Sequence, residues 1–278
     1  MSTVGVVTGA GRGMGLECAR RVGTMVDTLL LVDLDGQAAQ LAAEELSASE
    51  GATVEPFHLD VTDRAGLARL ADRVAGLGDL RAVAHVAGIS PTMADWRRIV
   101  EVDLVGTALL AEALRPLATA GTAFVYFSSM APTIAGVVAE PALDAALDEP
   151  LHPDLLDRIH TVLGAQAEHP GAAYVWAKYG VRRFAQREAI RLGPVGARAC
   201  SVSPGIIDTP QGRQESEHNP SMEAMVRRTP LGRAGRAAEV AAAVAFALSD
   251  EASFLNGVDL LVDGGVCAAT RLGEGQAR

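Results

Sequence analysis

The stretch VVTGAGRGMG, residues 6–15, sets the question on which the fold turns. Two valines and Thr8 lead into four alternating glycines (Gly9, Gly11, Gly13 and Gly15), and a helix-forming run begins near Met14. The common dinucleotide spacing G-x-G-x-x-G does not fit. Counted from Gly9 it needs glycine where Met14 stands, and counted from Gly11 where Leu16 stands. Glycines in such a turn still allow positive φ and close approach of the backbone to a ligand. The helix start that follows offers unpaired N–H groups and a positive dipole end to a pyrophosphate. By itself the turn is weak evidence, and its bland reading is a plain connection. The next strand, TLLLVD, ends in Asp33. A carboxylate about twenty residues beyond the glycine turn can accept from both hydroxyls of an adenosine ribose and would repel a 2′-phosphate. Together the two features favour NAD, or a methyl donor built on adenosine.

Outward from this turn, VGVVT (4–8), TLLLVD (28–33), VEPFHLDV (54–61), RAVAHVAG (81–88), AFVYFSS (123–129), ARACSVSPG (197–205) and VDLLVDGG (258–265) read as strands. Their continuous apolar character implies burial on both faces. Between them, stretches such as MGLECARRV, AGLARLADRVAGL and AAEVAAAVAFAL carry helical periodicity. Strands interleaved with helices imply right-handed βαβ crossovers. The expectation is α/β: a single doubly wound Rossmann domain over residues 1–278, with a parallel sheet of about seven strands and helices on both faces. Ligands of such sheets bind beyond the carboxyl ends of the strands.

The bulk numbers narrow the function classes. The 278 residues, 49% of them hydrophobic, suffice for one large core. A net charge of −10 with no Lys/Arg cluster argues against nucleic acid or an anionic membrane as partner. Cys18, Cys200 and Cys267 lack C-x-x-C spacing and read as small buried residues of a reducing cytosol. The six histidines show no ligand spacing, so no metal is expected. No run nears the roughly 18 apolar residues of a membrane span, and the first residues read as running directly into a strand, so no secretory leader is expected. A cytoplasmic protein is expected.

The decisive signal is YVWAK, Tyr174 to Lys178. Four residues apart on a helix, the two side chains share a face. A phenol has a pKa near 10 and is a poor base at neutral pH. A neighbouring ammonium favours the phenolate, so a Tyr tuned in this way can take the proton of an alcohol as hydride leaves its carbon. The bland reading of any single Y-x-x-x-K is a solvated Lys beside a core Tyr. Ser129 at the end of the fifth strand, together with the glycine turn and Asp33, makes chance a poor explanation. Asp60-Val61 closes the third strand, where Asp60 can meet an adenine amino group or cap the next helix.

With these residues in place, the chain resembles the short-chain dehydrogenase/reductase family from end to end. Thr8, Gly9, Gly13 and Gly15 match that family's T-G-x-x-x-G-x-G, so the opening loop is a dinucleotide site of different spacing. Ala87-Gly88 match its N-N-A-G, with His85 and Val86 replacing both Asn residues. Ser129, Tyr174 and Lys178 match the catalytic set, and SPGIIDT matches the P-G-x-x-x-T segment. The resemblance implies that Ser129 donates to the substrate oxygen and that Tyr174 is the general acid/base. It implies that Lys178 binds the nicotinamide ribose and lowers the Tyr174 pKa. Pro204, Ile207 and Thr209 would hold the nicotinamide side. Gly9, Arg12, Gly13, Met14, Gly15, Asp33, Asp60, Val61, Ala87 and Gly88 would line the rest of the cofactor. Asp33 followed by Leu34 resembles the NAD-preferring subgroup, whereas Arg12 resembles a feature of some NADP users, so NAD is expected ahead of NADP.

In EVDLVG, Asp103 stands where the family has a catalytic Asn that helps hold a water of the proton relay to Lys. Either the backbone carbonyl does that work and Asp103 is nearly harmless, or its carboxylate pairs with Lys178 and shifts the working pH. A mostly helical insertion is expected at about 132–172, resembling the bacterial 3α-hydroxysteroid dehydrogenase/carbonyl reductase branch. In it, PDLLDRIHTVLG (153–164) reads as a helix with an apolar stripe of Leu155, Leu156, Ile159, Val162 and Leu163. The stripe is a packed surface excursion, a pocket wall for a bulky carbonyl compound, or a subunit contact. Residues 211–233 read as a polar segment, aperiodic at its start, that moves on binding, and the polar end beyond Gly265 as disordered.

The expected function is hydride transfer between NAD and a secondary alcohol or ketone, in a homodimer or homotetramer. A catalytically idle NAD(H)-sensing protein on the same fold is the alternative. A methyltransferase ranks last, because it gives Tyr174, Lys178 and Thr209 no role.

Overall fold

The computed structural model describes residues 2–48, 51–218 and 221–273. The strands are β1 (Thr3–Thr8), β2 (Thr28–Asp33), β3 (Thr53–His58), β4 (Asp79–His85), β5 (Ala118–Phe127), β6 (Arg198–Pro204), β7 (Ile207–Asp208), β8 (Gly235–Arg236) and β9 (Asp259–Val262). Seven of them form one sheet in the order β3-β2-β1-β4-β5-β6-β9. Every pairing in it is parallel. The order reverses between β1 and β4, whose carboxyl ends meet at Thr8 and His85. That is the switch point at which a doubly wound sheet opens a crevice.

Helices cover both faces: α1 (Gly13–Val22), α2 (Gly36–Ser47), α3 (Arg64–Leu77), α4 (Trp96–Val100), α5 (Gly106–Leu114) and α6 (Ala131–Ile134). They continue as α7 (Pro141–Leu147), α8 (Leu155–Leu163), α9 (Pro170–Leu192), α10 (Pro210–His218), α11 (Ser221–Arg228), α12 (Ala237–Leu248) and α13 (Val266–Leu272). Successive strand residues point to opposite faces. Leu30, Val32, Val83 and Phe124 therefore pack under α3, α5 and α9, while Leu29, Leu31, Ala84 and Val125 pack under α1 and α12. The outer strand β3 departs from the expected two-sided burial, because as an edge it leaves half its surface to solvent. Pro56 suits that edge, where a missing ladder donor does no harm.

Two segments differ from expectation. Residues 211–233, polar and without clear period at their start, are nonetheless helical, since α10 begins at Pro210 and α11 follows. The chain beyond Gly265 forms α13, with Val266 and Cys267 buried, because these two apolar residues complete a cluster with Met130. Residues 274–278, where the polar end runs out, lie outside the described residues.

The insertion supplies α7 and α8, and Gly164, at φ +57°, turns the chain after α8. Leu155 and Ile159 join Leu143, Ala146 and Leu147 in the cluster that also holds Trp96 of α4 and Val181 and Phe184 of α9. Arg183 of α9 pins the insertion through Asp144 at 2.9 Å and Asp148 at 2.8 Å. Ile159 is 2% exposed. Ile159→Ala is expected to cost about 2–5 kcal/mol, read as a loss of thermal stability with the circular dichroism of the folded protein unchanged.

Candidate active site

The crevice at the switch point has a volume of about 460 Å³. Gly9, Arg12, Gly13, Met14 and Gly15 form its glycine-rich floor, and Asp33, Asp60, Val61, Ala87, Gly88 and Thr209 also line it. Gly9 and Gly13 take positive φ, at 64° and 57°. A Cβ at Gly15 would sit 1.8 Å from the Gly9 carbonyl oxygen, so no side chain fits there. No side chain caps the start of α1, which leaves its N–H groups for an anion. Asp33 accepts from Gly11 N–H at 2.8 Å and Asp35 N–H at 2.9 Å, so its two oxygens are aimed and each keeps a lone pair. Glycine floor, open helix start and aimed carboxylate together fit a dinucleotide. Arg12 approaches Asp35 at 3.9 Å on the exposed rim.

Asp60 lines the crevice and does not cap the next helix. Its Oδ1 accepts from Thr62 N–H and Oγ1, its Oδ2 accepts from Arg98 at 2.7 Å, and α3 is capped by Asp63 instead. The cap lies at Asp63 because α3 begins at Arg64, one residue later, and Asp63 Oδ1 accepts from Ala65 N–H.

At the carboxyl ends of β5 and β6 the expected reactive residues converge. Tyr174 and Lys178 lie one turn apart on α9, with Nζ 5.6 Å from the centre of the phenol ring. Lys178 Nζ donates to the Phe127 carbonyl at 3.2 Å, two residues before Ser129. Desolvation pushes the Tyr174 phenol well above its usual range and the Asp103 carboxylate adds to it, while hydrogen bonding with Ser129 pulls the other way. Pro204 ends β6, and Ile207 and Thr209 follow with their side chains buried.

Asp103 is buried in a π-helical turn, Glu101–Val105, between α4 and α5. Its Oδ1 accepts from Ile89 N–H at 2.8 Å, and its Oδ2 lies 3.4 Å from Lys178 Nζ. The Asp103 carbonyl already accepts the Thr107 hydroxyl at 2.6 Å. Burial raises the Asp103 pKa; Lys178 and the Ile89 N–H oppose it. A Cβ at Gly88 would come within 2.9 Å of Asp103 Oδ1 and 3.0 Å of Lys178 Nζ, so this pair needs glycine beside it.

A family model described as short chain dehydrogenase matches residues 3–139, and one described as enoyl-(acyl carrier protein) reductase matches residues 159–267. The chain is 31% identical to cis-4-hydroxycyclohexanecarboxylate dehydrogenase of Sinomonas cyclohexanicum, over 95% of this chain and 96% of that one. The chain belongs to the short-chain dehydrogenase/reductase family. It is also 28% identical to 3-alpha-(or 20-beta)-hydroxysteroid dehydrogenase of Mycobacterium tuberculosis, over 95% of this chain and 89% of that one. The structure of levodione reductase superposes with a TM-score of 0.77 at 25% identity, covering 96% and 98% of the two chains.

Against this short-chain dehydrogenase/reductase background, residues that sequence reasoning left without roles come into view. Thr8 Oγ1 accepts from Val86 and Ala87 N–H, both at 3.1 Å, so its own proton goes to His85 Nδ1 at 2.8 Å. His85 therefore carries its ring proton on Nε2, and burial drives its pKa down to about 3, keeping it neutral. Arg98 lines the same crevice. No sequence signal marks it, because its partner Asp60 lies on a different element. Among the described residues no cluster of three His, Cys, Asp or Glu is placed to hold a metal ion. No helix among them is long and apolar enough to cross a membrane.

Proposed function

We propose that this oxidoreductase interconverts a secondary alcohol and a ketone with NAD as its hydride partner, Tyr174 serving as the general acid/base. The carrying observation is the convergence of Ser129, Tyr174 and Lys178 at the sheet's carboxyl end, beside a crevice that fits a dinucleotide. When bound, the nicotinamide accepts hydride from the alcohol carbon or returns it to the ketone. Ser129 holds the substrate oxygen by a hydrogen bond, Tyr174 takes or gives its proton, and Lys178 favours the phenolate and binds the nicotinamide ribose. The aimed Asp33 carboxylate supports NAD over NADP, since a 2′-phosphate there would meet a negative charge.

The apolar surroundings of Ser129 support a substrate class. Met130 packs with Ile134, Ile206 and Met225 in a small apolar cluster. Such walls suit a cyclic or otherwise bulky apolar carbonyl compound, steroid-like ones included. The stripe on α8 packs into the core cluster, which does not support its reading as a pocket wall.

Asp103 acts through its carboxylate, whose Oδ2 faces Lys178 Nζ at 3.4 Å. That negative charge raises the Tyr174 pKa, so removing it lowers the pKa. The phenolate then forms at lower pH, and the rising limb of alcohol oxidation moves acidward. Asp103→Asn is expected to shift it by about one unit or more, measured as kcat against pH. An unmoved limb removes Asp103 from the proton path.

The test of the function is NADH formation with a panel from small aliphatic alcohols to 3-hydroxysteroids, with NADP in parallel and Tyr174→Phe as blank. Turnover that survives in the blank refutes the reading.

A further inference from the structure

Three consecutive residues at the end of β5 are tied to one helix. The Phe127 carbonyl accepts from Lys178 Nζ at 3.2 Å, and Ser128 Oγ donates to the Lys178 carbonyl at 2.7 Å. The Ser129 carbonyl accepts from Arg182 Nη2. Tyr174, Lys178 and Arg182 follow one another at four-residue spacing on α9, so all three share a face. Arg182 is itself held on every side. Its Nε donates to Ser128 Oγ at 3.2 Å and Ser203 Oγ at 3.1 Å, and its Nη1 donates to Thr133 Oγ1 at 2.8 Å. Asp259 of β9 balances the charge at 3.3 Å and also accepts from Ser201 at 2.7 Å and Ser203 at 2.9 Å. One guanidinium thus joins the end of β5, β6, β9 and α6 to the helix that carries the phenol.

We propose that Arg182 is a positioning residue that sets the spacing between the Ser129 hydroxyl and the Tyr174 phenol. This rests on the function proposed above. The Ser129 Oγ accepts from Ala131 N–H at 3.1 Å in the same turn and hydrogen-bonds with Tyr174, so the geometry of that pair depends on how the end of β5 is held against α9. The Ser129 main chain is what Arg182 grips, and the neighbouring Ser128 and Met130 N–H groups bind the Val202 and Pro204 carbonyls of β6. Without the guanidinium fork the turn keeps its strand contacts and its two bonds to Lys178, and loses the one that ties Ser129 itself to α9. The Ser129 hydroxyl then drifts relative to Tyr174, and hydride and proton transfer from one substrate oxygen and its carbon fall out of register. Lysine cannot replace this arrangement, since a single ammonium lacks the planar fork that reaches Ser129, Ser128 and Thr133 together.

The experiment compares Arg182→Lys with wild type, and Thr133→Val as a milder variant that removes one tether of the same fork. Misplacement of a reacting group by about an ångström can reduce rate by about 100-fold. The expected result for Arg182→Lys is a kcat about 10- to 100-fold lower. NADH affinity, measured by fluorescence titration, stays within threefold of wild type. A deuterium isotope effect on kcat larger than wild type marks the chemical step as the one slowed. Thr133→Val, which leaves the Ser129 contact in place, shows a smaller fall in the same direction. A crystal structure of Arg182→Lys is expected to show Ser129 Oγ displaced from Tyr174. An Arg182→Lys enzyme with unchanged kcat and an unmoved Ser129 overturns the proposal. So does a fall in kcat matched by an equal loss of NADH affinity, which marks a merely structural role. If wild type oxidises no alcohol, the proposed function falls, and the displacement of Ser129 in the crystal still decides the role of Arg182.

Discussion

Tyr174→Phe is expected to lower kcat for alcohol oxidation by about 10²- to 10⁴-fold, the range that a positioned general acid/base contributes. The substitution removes one oxygen and leaves the ring that stands 5.6 Å from Lys178 Nζ, so packing along α9 survives. NADH binding is expected to remain, because the glycine floor, Asp33 and the start of α1 lie on other elements. Initial rates of NADH formation, with NADH fluorescence titration beside them, separate the two effects. A loss confined to kcat assigns the proton to Tyr174. A variant within about tenfold of wild type would place the general base elsewhere. The high Tyr174 pKa also sets the sign of the wild-type pH dependence. The phenolate is scarce at neutral pH, so alcohol oxidation is expected to climb steadily into the alkaline range, while ketone reduction, which needs the protonated phenol, is expected to hold toward acid pH.

Asp33→Asn is expected to reverse the coenzyme balance. The Asp33 carboxylate is held by the Gly11 and Asp35 N–H groups and presents its remaining lone pairs to the crevice. A hydrogen bond to a charged group contributes about 1.5–3 kcal/mol, so losing the charge lowers kcat/KM for NAD by about 10- to 100-fold. The amide also no longer repels a 2′-phosphate, and kcat/KM for NADP rises in the same variant. The ratio of the two constants, with one alcohol as substrate, is the measurement. A wild type that uses NADP as well as NAD, or a ratio unmoved in Asp33→Asn, shows that Asp33 does not select the coenzyme.

The α/β architecture was legible because parallel strands buried on both faces are written as unbroken apolar runs, such as TLLLVD and AFVYFSS. β3 was legible as a strand and misread in its burial. Whether a strand lies at an edge depends on the order of the whole sheet, and nothing in VEPFHLDV states that order. The helix over 155–163 was legible from its 3.6-residue stripe, but the destination of that stripe was not. An apolar face says only that something covers it. Here it packs on α7 of the same insertion and joins the cluster that holds Trp96 of α4 and Val181 and Phe184 of α9, which precede and follow the insertion in the chain.

The candidate site divides along the same line. Local spacing by itself determined the glycine turn leading into a helix and the shared face of Tyr174 and Lys178, since both follow from backbone geometry within a few residues. Position at a strand end did the same for Asp33 and Ser129. Tertiary structure alone decided the rest. Asp103 faces Lys178 because the π-helical turn between α4 and α5 packs on α9, and glycine at position 88 leaves room between them. The tautomer of His85 is set by Thr8, on the neighbouring strand across the switch point. Arg182 grips Ser129, 53 residues earlier, because β5 ends beneath α9. These contacts join residues distant in the chain, and a hydrogen bond or ion pair leaves no periodic mark on either partner. Periodicity records which way a residue faces, whereas the folded sheet decides what it meets there.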